Sequence, residues 1–368
     1  MSKSYRSLGL MSGTSADGVD ASIIQSDGDT EYEVILDKYF KYSQNIYENI
    51  HNLKNEINDS RDLKNLSKKL QSLEKEITLF HANAVNEVIK KSKLNIDFVG
   101  FHGQTIFHNA KEKISKQLGD GKLLSKLTKK TVIYDFRKND LKNGGHGAPL
   151  TPIFHKLLKR KFKIKDITFV NIGGIVNTTT ILNEGNMSGT DIGPGMCLID
   201  RWVRQKSKKN YDENGIIAKS GRVNKIVLNQ LLENFYEKEN NLSAGATQSF
   251  DTKYFDFSFA KELSLEDGTA TLTEFTAQII ISAIKSTERY KEKIILCGGG
   301  RKNNFLVEKL KEKITRIKLI DEYKVDGDFV ESQAFAYLAI RTYLKLPISF
   351  PETTGVDKPC TGGIIIKN

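Results

Sequence analysis

The chain contains no run near the roughly 18 consecutive apolar residues of a membrane-spanning helix, so no such helix is expected. Cysteine is scarce. Cys197, Cys297 and Cys360 are odd in number and far apart, which argues against a disulfide framework and fits a reducing cytoplasm. The start, Met-Ser-Lys-Ser-Tyr-Arg, enters the first expected strand without an apolar signal region, so a cytoplasmic location is expected rather than export. No Gly-x-x-x-x-Gly-Lys-Ser/Thr is present, which excludes a P-loop nucleotide site at the level of sequence. No helix-turn-helix precedes the first strand, which disfavours a sugar-responsive repressor, and no other nucleic-acid motif accompanies the formal charge of +11. That excess is mostly dispersed lysine, a solubility pattern, so neither nucleic acid nor a membrane is an expected partner. The densest basic cluster, residues 159–165, sits where a helix should end before a strand, and cations there complement the helix dipole.

A length of 368 residues predicts two domains, and the 39% hydrophobic fraction with its many periodic apolar segments predicts a folded chain. Near the start, residues 8–20 read Leu-Gly-Leu-Met-Ser-Gly-Thr-Ser-Ala-Asp-Gly-Val-Asp, a strand, tight turn and strand. Gly13 and Gly18 allow positive φ, which turns successive backbone N–H groups toward one point, and Ser12, Thr14 and Ser15 add hydroxyls. Such a concavity suits a phosphate, with Asp17 or Asp20 near Mg²⁺ directly or through water. The same stretch taken alone also suits a plain β-hairpin turn. The following residues predict a three-stranded antiparallel meander, then a helix with Leu66, Leu70, Leu73, Ile77, Phe80, Ala84 and Val88 on one face. Residues 97–101 predict a buried strand, with His102 and Gln104 just past its end, where open α/β sheets bind ligands. His102 and His108 lack a third metal ligand, so hydrogen bonding is the expectation there. Residues 131–137 read as a strand ending in Arg137, before a glycine loop that opens a helix at about Leu150.

The middle of the chain repeats the opening theme: an apolar strand to Asn171, a turn at Gly173 and Gly174, and a returning strand from Val176, which suggests internal duplication. Residues 189–195 are expected to form a rigid loop that holds Asp191 at the mouth of a helix starting near Met196, where an N-cap is its bland alternative. Further on, a helix is expected over 273–290, and a buried strand over 293–297 leads into Gly298, Gly299 and Gly300. A last helix runs from about Phe329 to Leu346 and stops at Pro347, with Glu331 in its early turn, and the tail reads as loop.

Eight motifs in this order resemble the 1,6-anhydro-N-acetylmuramic acid kinase family, within the actin, Hsp70 and sugar kinase superfamily, over nearly the whole chain. They are residues 9–20, His-Gly-Gln-Thr-Ile-Phe-His (102–108), Asp-Phe-Arg-Lys-Asn-Asp (135–140) and Gly-Gly-His-Gly-Ala-Pro-Leu (144–150), followed by Asn-Ile-Gly-Gly-Ile-Val-Asn (171–177), Asp-Ile-Gly-Pro-Gly (191–195), Cys-Gly-Gly-Gly (297–300) and Glu-Ser-Gln-Ala-Phe-Ala-Tyr-Leu-Ala (331–339). The resemblance implies an α/β fold of two RNase H-like domains with mixed sheets and a nucleotide cleft between them. The expected domains are residues 1–130 with 347–368, and residues 131–346. It further implies an ATP- and Mg²⁺-dependent kinase that opens 1,6-anhydro-N-acetylmuramic acid with water and phosphorylates O6, in peptidoglycan recycling. On that reading Asp191 is the catalytic base. Ser12, Gly13, Thr14, Ser15, Asp17, Gly18, Asp20, Gly173 and Gly174 hold the phosphates and Mg²⁺, and Gly298, Gly299 and Gly300 meet the adenosine. His102, Gln104, Arg137 and Glu331 fall on the sugar side, although Arg137 also suits a structural ion pair and Glu331 a helix cap. A homodimer is a family-level expectation. The chain departs from the family pattern at His146, Thr190, Ile192 and Met196, and at residues 247–251, where Gln248 stands without the usual lysine. These changes bear on sugar contacts more than on reaction class.

Overall fold

A computed structural model describes residues 3–182, 186–241, 255–286 and 292–368. Gln248 and its neighbours, and the end of the helix expected through residue 290, lie outside the described residues. Contacts divide the chain into Met1–Lys163 with Phe329–Asn368, and Ile164–Asp328.

In the first unit, β1 (Tyr5–Ser12), β2 (Gly18–Ser26) and β3 (Tyr32–Lys41) form the expected antiparallel meander. Next come α1 (Gln44–Glu56), α2 (Asp62–Asn65) and α3 (Ser67–Ser92), then β4 (Phe98–Asn109), which lies parallel to β1. β5 (Ile114–Leu118) folds back on β4, α4 (Gly121–Thr128) follows, and β6 (Thr131–Tyr134) pairs parallel with β4. α5 (Lys138–Lys142) and α6 (Pro152–Phe162) complete this first stretch of the unit.

The second unit repeats the pattern. β7 (Ile167–Ile172), β8 (Ile175–Ile181) and β9 (Met187–Pro194) form a meander, followed by α7 (Cys197–Lys206), α8 (Ile216–Ser220), α9 (Lys225–Asn241) and α10 (Leu265–Ser286). β10 (Lys293–Cys297) runs parallel to β7, and after α11 (Asn304–Lys313), β11 (Ile317–Leu319) runs parallel to β10. The chain then returns to the first unit as α12 (Val330–Tyr343), α13 (Pro351–Thr354) and β12 (Ile364–Ile366), which pairs with β6. The two sheets are ordered β12-β6-β4-β1-β2-β3, with β5 beside β4, and β11-β10-β7-β8-β9. Each therefore sets a three-stranded meander beside two parallel strands, the RNase H-like arrangement.

Alternation along β1 explains the layering. Leu8 and Leu10 enter a core with Ile46, Ile50 and Leu53 of α1 and Leu70, Leu73, Ile77, Val85 and Val88 of α3. Each fully buried side chain of this size contributes about 1.5–3 kcal/mol. Gly9 faces the other side, where an added Cβ would lie 1.9 Å from the Ser332 carbonyl oxygen. Gly100, opposite it on β4, would meet the Phe335 carbonyl at 2.3 Å. Two facing glycines thus let α12 lie with its backbone against the sheet.

Several expectations shift. The boundaries expected at 130/131 and 346/347 move to 163/164 and 328/329, because β6 completes the first sheet and α12 packs on β1, β2 and β4. Residues 102–109 continue β4 instead of leaving it, since β5 supplies them with a partner. β6 stops at Tyr134 because Asp135 takes φ 56°. The tail contains the strand β12. Asp191 lies inside β9 and not on a loop, with Met196 at the N-cap of α7, so the N-cap alternative for Asp191 falls away.

Candidate functional site

In the first unit the expected residues collect at the carboxyl ends of the parallel strands. The turn after β1 is built from its carbonyls. Gly13 O accepts from Ala16 N at 3.1 Å and from Gln104 Nε2 at 3.0 Å, and Asp17 O accepts from Tyr42 N at 2.9 Å and the Tyr39 hydroxyl at 3.0 Å. The Ser12 hydroxyl, with one proton to give, lies 2.5 Å from Gln104 Oε1 and 2.8 Å from Gly18 O. Both side chains are buried, so Ser12 and Gln104 brace the turn from inside. The positive φ of this turn belongs to Ala16 (55°) rather than to Gly13 or Gly18. Gly18 is required by close approach, since a Cβ would lie 2.5 Å from the Tyr39 ring. At Gly13 the Cβ position is open except for Ser15 Oγ at 3.9 Å. Thr14, Ser15 and Asp17 are exposed, with Ser15 Oγ donating to Asp17 Oδ1 at 2.8 Å. Asp20 is half-buried on β2, opposite Met11 and Tyr39.

Beside this turn, His102 is buried with Nδ1 at 2.7 Å from Gly103 O and Nε2 at 2.9 Å from Arg137 Nη2. A carbonyl and a guanidinium on its two nitrogens fix the tautomer: Nδ1 carries the proton and Nε2 accepts. Burial, and then the Arg137 charge, hold His102 well below its ordinary value, so it is neutral. Arg137 also donates from Nη1 to Gly147 O at 2.7 Å, and Asp140 accepts from Gly147 N at 2.6 Å. His108 is separate, with Nδ1 at 3.0 Å from Ser115 Oγ, and burial lowers it to about 4. Glu331 reaches this edge through helix direction. Tyr343 packs on Tyr5 and Phe98 at the strand starts, and Phe335 on His102 at 4.5 Å, so α12 runs antiparallel to β4 with Glu331 one turn beyond Phe335. The N-cap position of α12 is Phe329, whose side chain makes no cap bond.

The second unit repeats the geometry. Gly173 and Gly174 follow β7, and their carbonyls accept from Met196 N at 2.9 Å and Gly195 N at 3.0 Å, which ties the start of α7 to the turn. Asn171, Asn177 and Asp191 stand directly opposite one another on β7, β8 and β9 and so share a face. The pairing shifts between Val176 and Asn177, which makes Ile192 the extra residue of a β-bulge. Ile192 turns into the core while Asp191 keeps the opposite face, the re-aiming that bulges provide. Asn171 and Asn177 carry no separate signal in the sequence beyond their motif; the register alone brings them to Asp191.

The glycines after β10 divide by role. A Cβ at Gly298, whose φ is 78°, would meet Asn171 Oδ1 at 2.4 Å, and one at Gly300 the Ile172 side chain at 2.3 Å, whereas Gly299 has nothing within 4 Å. Arg301 locks this turn from behind, bound by Asp321, Asp326 and Asp328 while donating to Gly298 O at 3.1 Å. Among the departures from the family pattern, Ile192 and Met196 belong to the apolar packing, and Thr190 Oγ1 donates to Asp191 O at 3.2 Å. His146 is half-buried and its backbone N–H donates to Thr354 O at 2.7 Å.

No group of three or more His, Cys, Asp or Glu is arranged as a metal site among the described residues. Mg²⁺ is compatible with that, because it commonly takes one or two carboxylates and completes its shell with phosphate oxygens and water. Among the described residues, no helix is long and apolar enough to cross a membrane.

Two RNase H-like sheets, each with a glycine turn at the carboxyl ends of its parallel strands, are the fold of the actin, Hsp70 and sugar kinase class. The profile of the family described as anhydro-N-acetylmuramic acid kinase matches residues 5–368. An anhydro-N-acetylmuramic acid kinase of Pelagibacter ubique (strain HTCC1062) is 54% identical over 378 aligned residues, covering 100% of both chains. Kinases of the same name from Rhizobium johnstonii, 38% identical over 97% of both chains, and Brucella canis, 36% identical over 98% of both, are also similar. The chain belongs to the anhydro-N-acetylmuramic acid kinase family.

Proposed function

We propose that the protein converts 1,6-anhydro-N-acetylmuramic acid, water and ATP to N-acetylmuramic acid 6-phosphate and ADP, in the recycling of cell-wall peptidoglycan in the cytoplasm. The observation that carries the residue assignment is Asp191, a carboxylate set by a bulge opposite Asn177 and beside the Gly173–Gly174 turn. Asp191 takes a proton from water as the water oxygen bonds the anomeric carbon. The bond from that carbon to O6 breaks, O6 bonds the γ-phosphorus, and ADP leaves. A carboxylate base acting on water with inversion, and positioning with charge stabilisation for a loose phosphoryl transition state, are the two demands of this chemistry.

The amides at Gly13, Thr14 and Ser15 and the turn at Gly173 and Gly174 are assigned to the phosphates. Gly18 and Ser12 support the first turn, and Gly298, Gly299 and Gly300 are assigned to the adenosine. Asp17 or Asp20, acting directly or through water, would hold Mg²⁺, which neutralises phosphate charge when bound. On the sugar side, Arg137 presents a fork suited to the lactyl carboxylate, steadied by His102 and Gly147, with Glu331 on the same edge. Gln104 reaches the sugar only through the turn it braces. A homodimer belongs to the same reading and is checked by light scattering.

The direct test incubates purified protein with MgATP and the anhydro sugar in ¹⁸O water and analyses the product by mass spectrometry. Label at the anomeric position together with a 6-phosphate is the expected result. ADP without sugar phosphate would overturn it.

A further inference from the structure

α1 touches the first turn from its carbonyl side. Ser43 caps the helix, and Ile46, Ile50 and Leu53 bury one face in the core. Tyr47, His51 and Lys54, spaced four and three apart, share an adjoining face, and the Tyr47 and His51 rings lie 4.3 Å apart. Lys54 Nζ donates to Thr14 O at 3.0 Å, and His51 Nε2 to Ser15 O at 3.1 Å. A carbonyl can only accept, so Nε2 of His51 carries a proton.

With Gln104 on Gly13 and Tyr39 and Tyr42 on Asp17, the carbonyls of Gly13, Thr14, Ser15 and Asp17 are all engaged. The Thr14 and Ser15 N–H groups find no acceptor among the described residues. The carbonyl and the N–H of one planar trans peptide point in opposite directions. Holding the Thr14 carbonyl toward α1 therefore directs the Ser15 amide away from it, and holding the Ser15 carbonyl fixes the peptide whose N–H, on Ala16, closes the turn on Gly13 O.

We infer that Lys54 and His51 are positioning residues of the nucleotide site, through which α1 shapes the turn for the ATP phosphates. This inference rests on the phosphate role given to residues 13–15 above. Lys54 also places a positive charge one peptide away from the phosphates, an effect that weakens with salt.

The test compares the full-length wild type with Lys54→Met, Lys54→Arg, His51→Phe and Gly13→Ala. A non-hydrolysable ATP analogue is titrated with Mg²⁺, KM is measured for both substrates, and melting temperature is followed alongside. Lys54→Met is expected to raise the analogue Kd and the ATP KM about fivefold, the loss of one charge-assisted hydrogen bond partly screened by solvent, with sugar KM little changed. Lys54→Arg restores most of the affinity, because arginine also donates. His51→Phe keeps the ring stack, removes the donor and moves ATP KM in the same direction. Unchanged nucleotide affinity in Lys54→Met, an equal rise in sugar KM, or an arginine variant as weak as methionine overturns the inference. Gly13→Ala keeps the two readings apart, because its Cβ position is open and only a ligand can object. Normal nucleotide binding by Gly13→Ala removes the phosphate role of the turn. Loss there with none in Lys54→Met removes only the role of α1.

Discussion

The Gln104 side-chain amide donates to the Gly13 carbonyl at 3.0 Å, so the middle of β4 sets the shape of the turn that follows β1. Gln104→Leu removes one of two partners from that carbonyl, which keeps Ala16 N–H, and from the Ser12 hydroxyl, which keeps Gly18 O. The expected cost is about 0.5–1.5 kcal/mol in denaturant unfolding. Kinetics should show ATP KM rising more than sugar KM; a rise confined to the sugar would make Gln104 a direct sugar contact.

Asp191→Asn keeps the size and the strand position but removes the base. Turnover should fall by at least about 10²-fold, the usual scale of general-base catalysis, while affinity for a non-hydrolysable ATP analogue stays near that of the wild type. Unchanged turnover would take Asp191 out of the base role.

Gly298 and Gly299 are neighbours with opposite sensitivities. Gly298→Ala forces a side chain into positive φ and against Asn171 Oδ1, so thermal stability should drop. Gly299→Ala meets only open space, so its melting temperature should stay put and any loss should appear in nucleotide affinity. Equal melting curves for the two variants would contradict this division.

Buried histidines give the fold an acid limit. His81 sits among Tyr42, Phe80 and Phe101 with Nδ1 on Ile77 O, and burial lowers it from 6.5 to about 4; burial takes His155 to about 3. Between pH 6.5 and about 4 the unfolded chain binds the protons that these rings refuse. Their contribution is therefore fully present above pH 6.5 and is lost as pH falls, by about 1.4 kcal/mol per unit for each histidine. Urea unfolding at a series of pH values checks the slope, and His81→Leu should make it shallower. A slope unchanged in that variant would mean that other groups carry the acid limit.

Much of the fold follows from local pattern. The meander of β1, β2 and β3, the apolar face of α3 and the buried β10 are written in short-range periodicity, because a strand repeats every two residues and a helix every 3.6. The glycine turns and Asp191 were likewise legible as residue types in order. The position of Asp191 on a bulged strand was not, since a bulge depends on how β9 registers against β8. Nor was the brace from Gln104 to Gly13, which spans 91 positions, or the assignment of β6 and α12 to the first unit.

The sequence by itself determined the chemistry on offer: which residues can donate, accept, bend or carry charge, and in what order along the chain. Only the tertiary structure decided which of them are packed into the frame and which are left open. Ser12 and Gln104 brace the first turn, Gly18 and Gly298 are demanded by close packing, and Gly13 and Gly299 are left bare. The physical reason is that these roles are set by distances between residues far apart in the chain, fixed only when strand register and helix packing are in place.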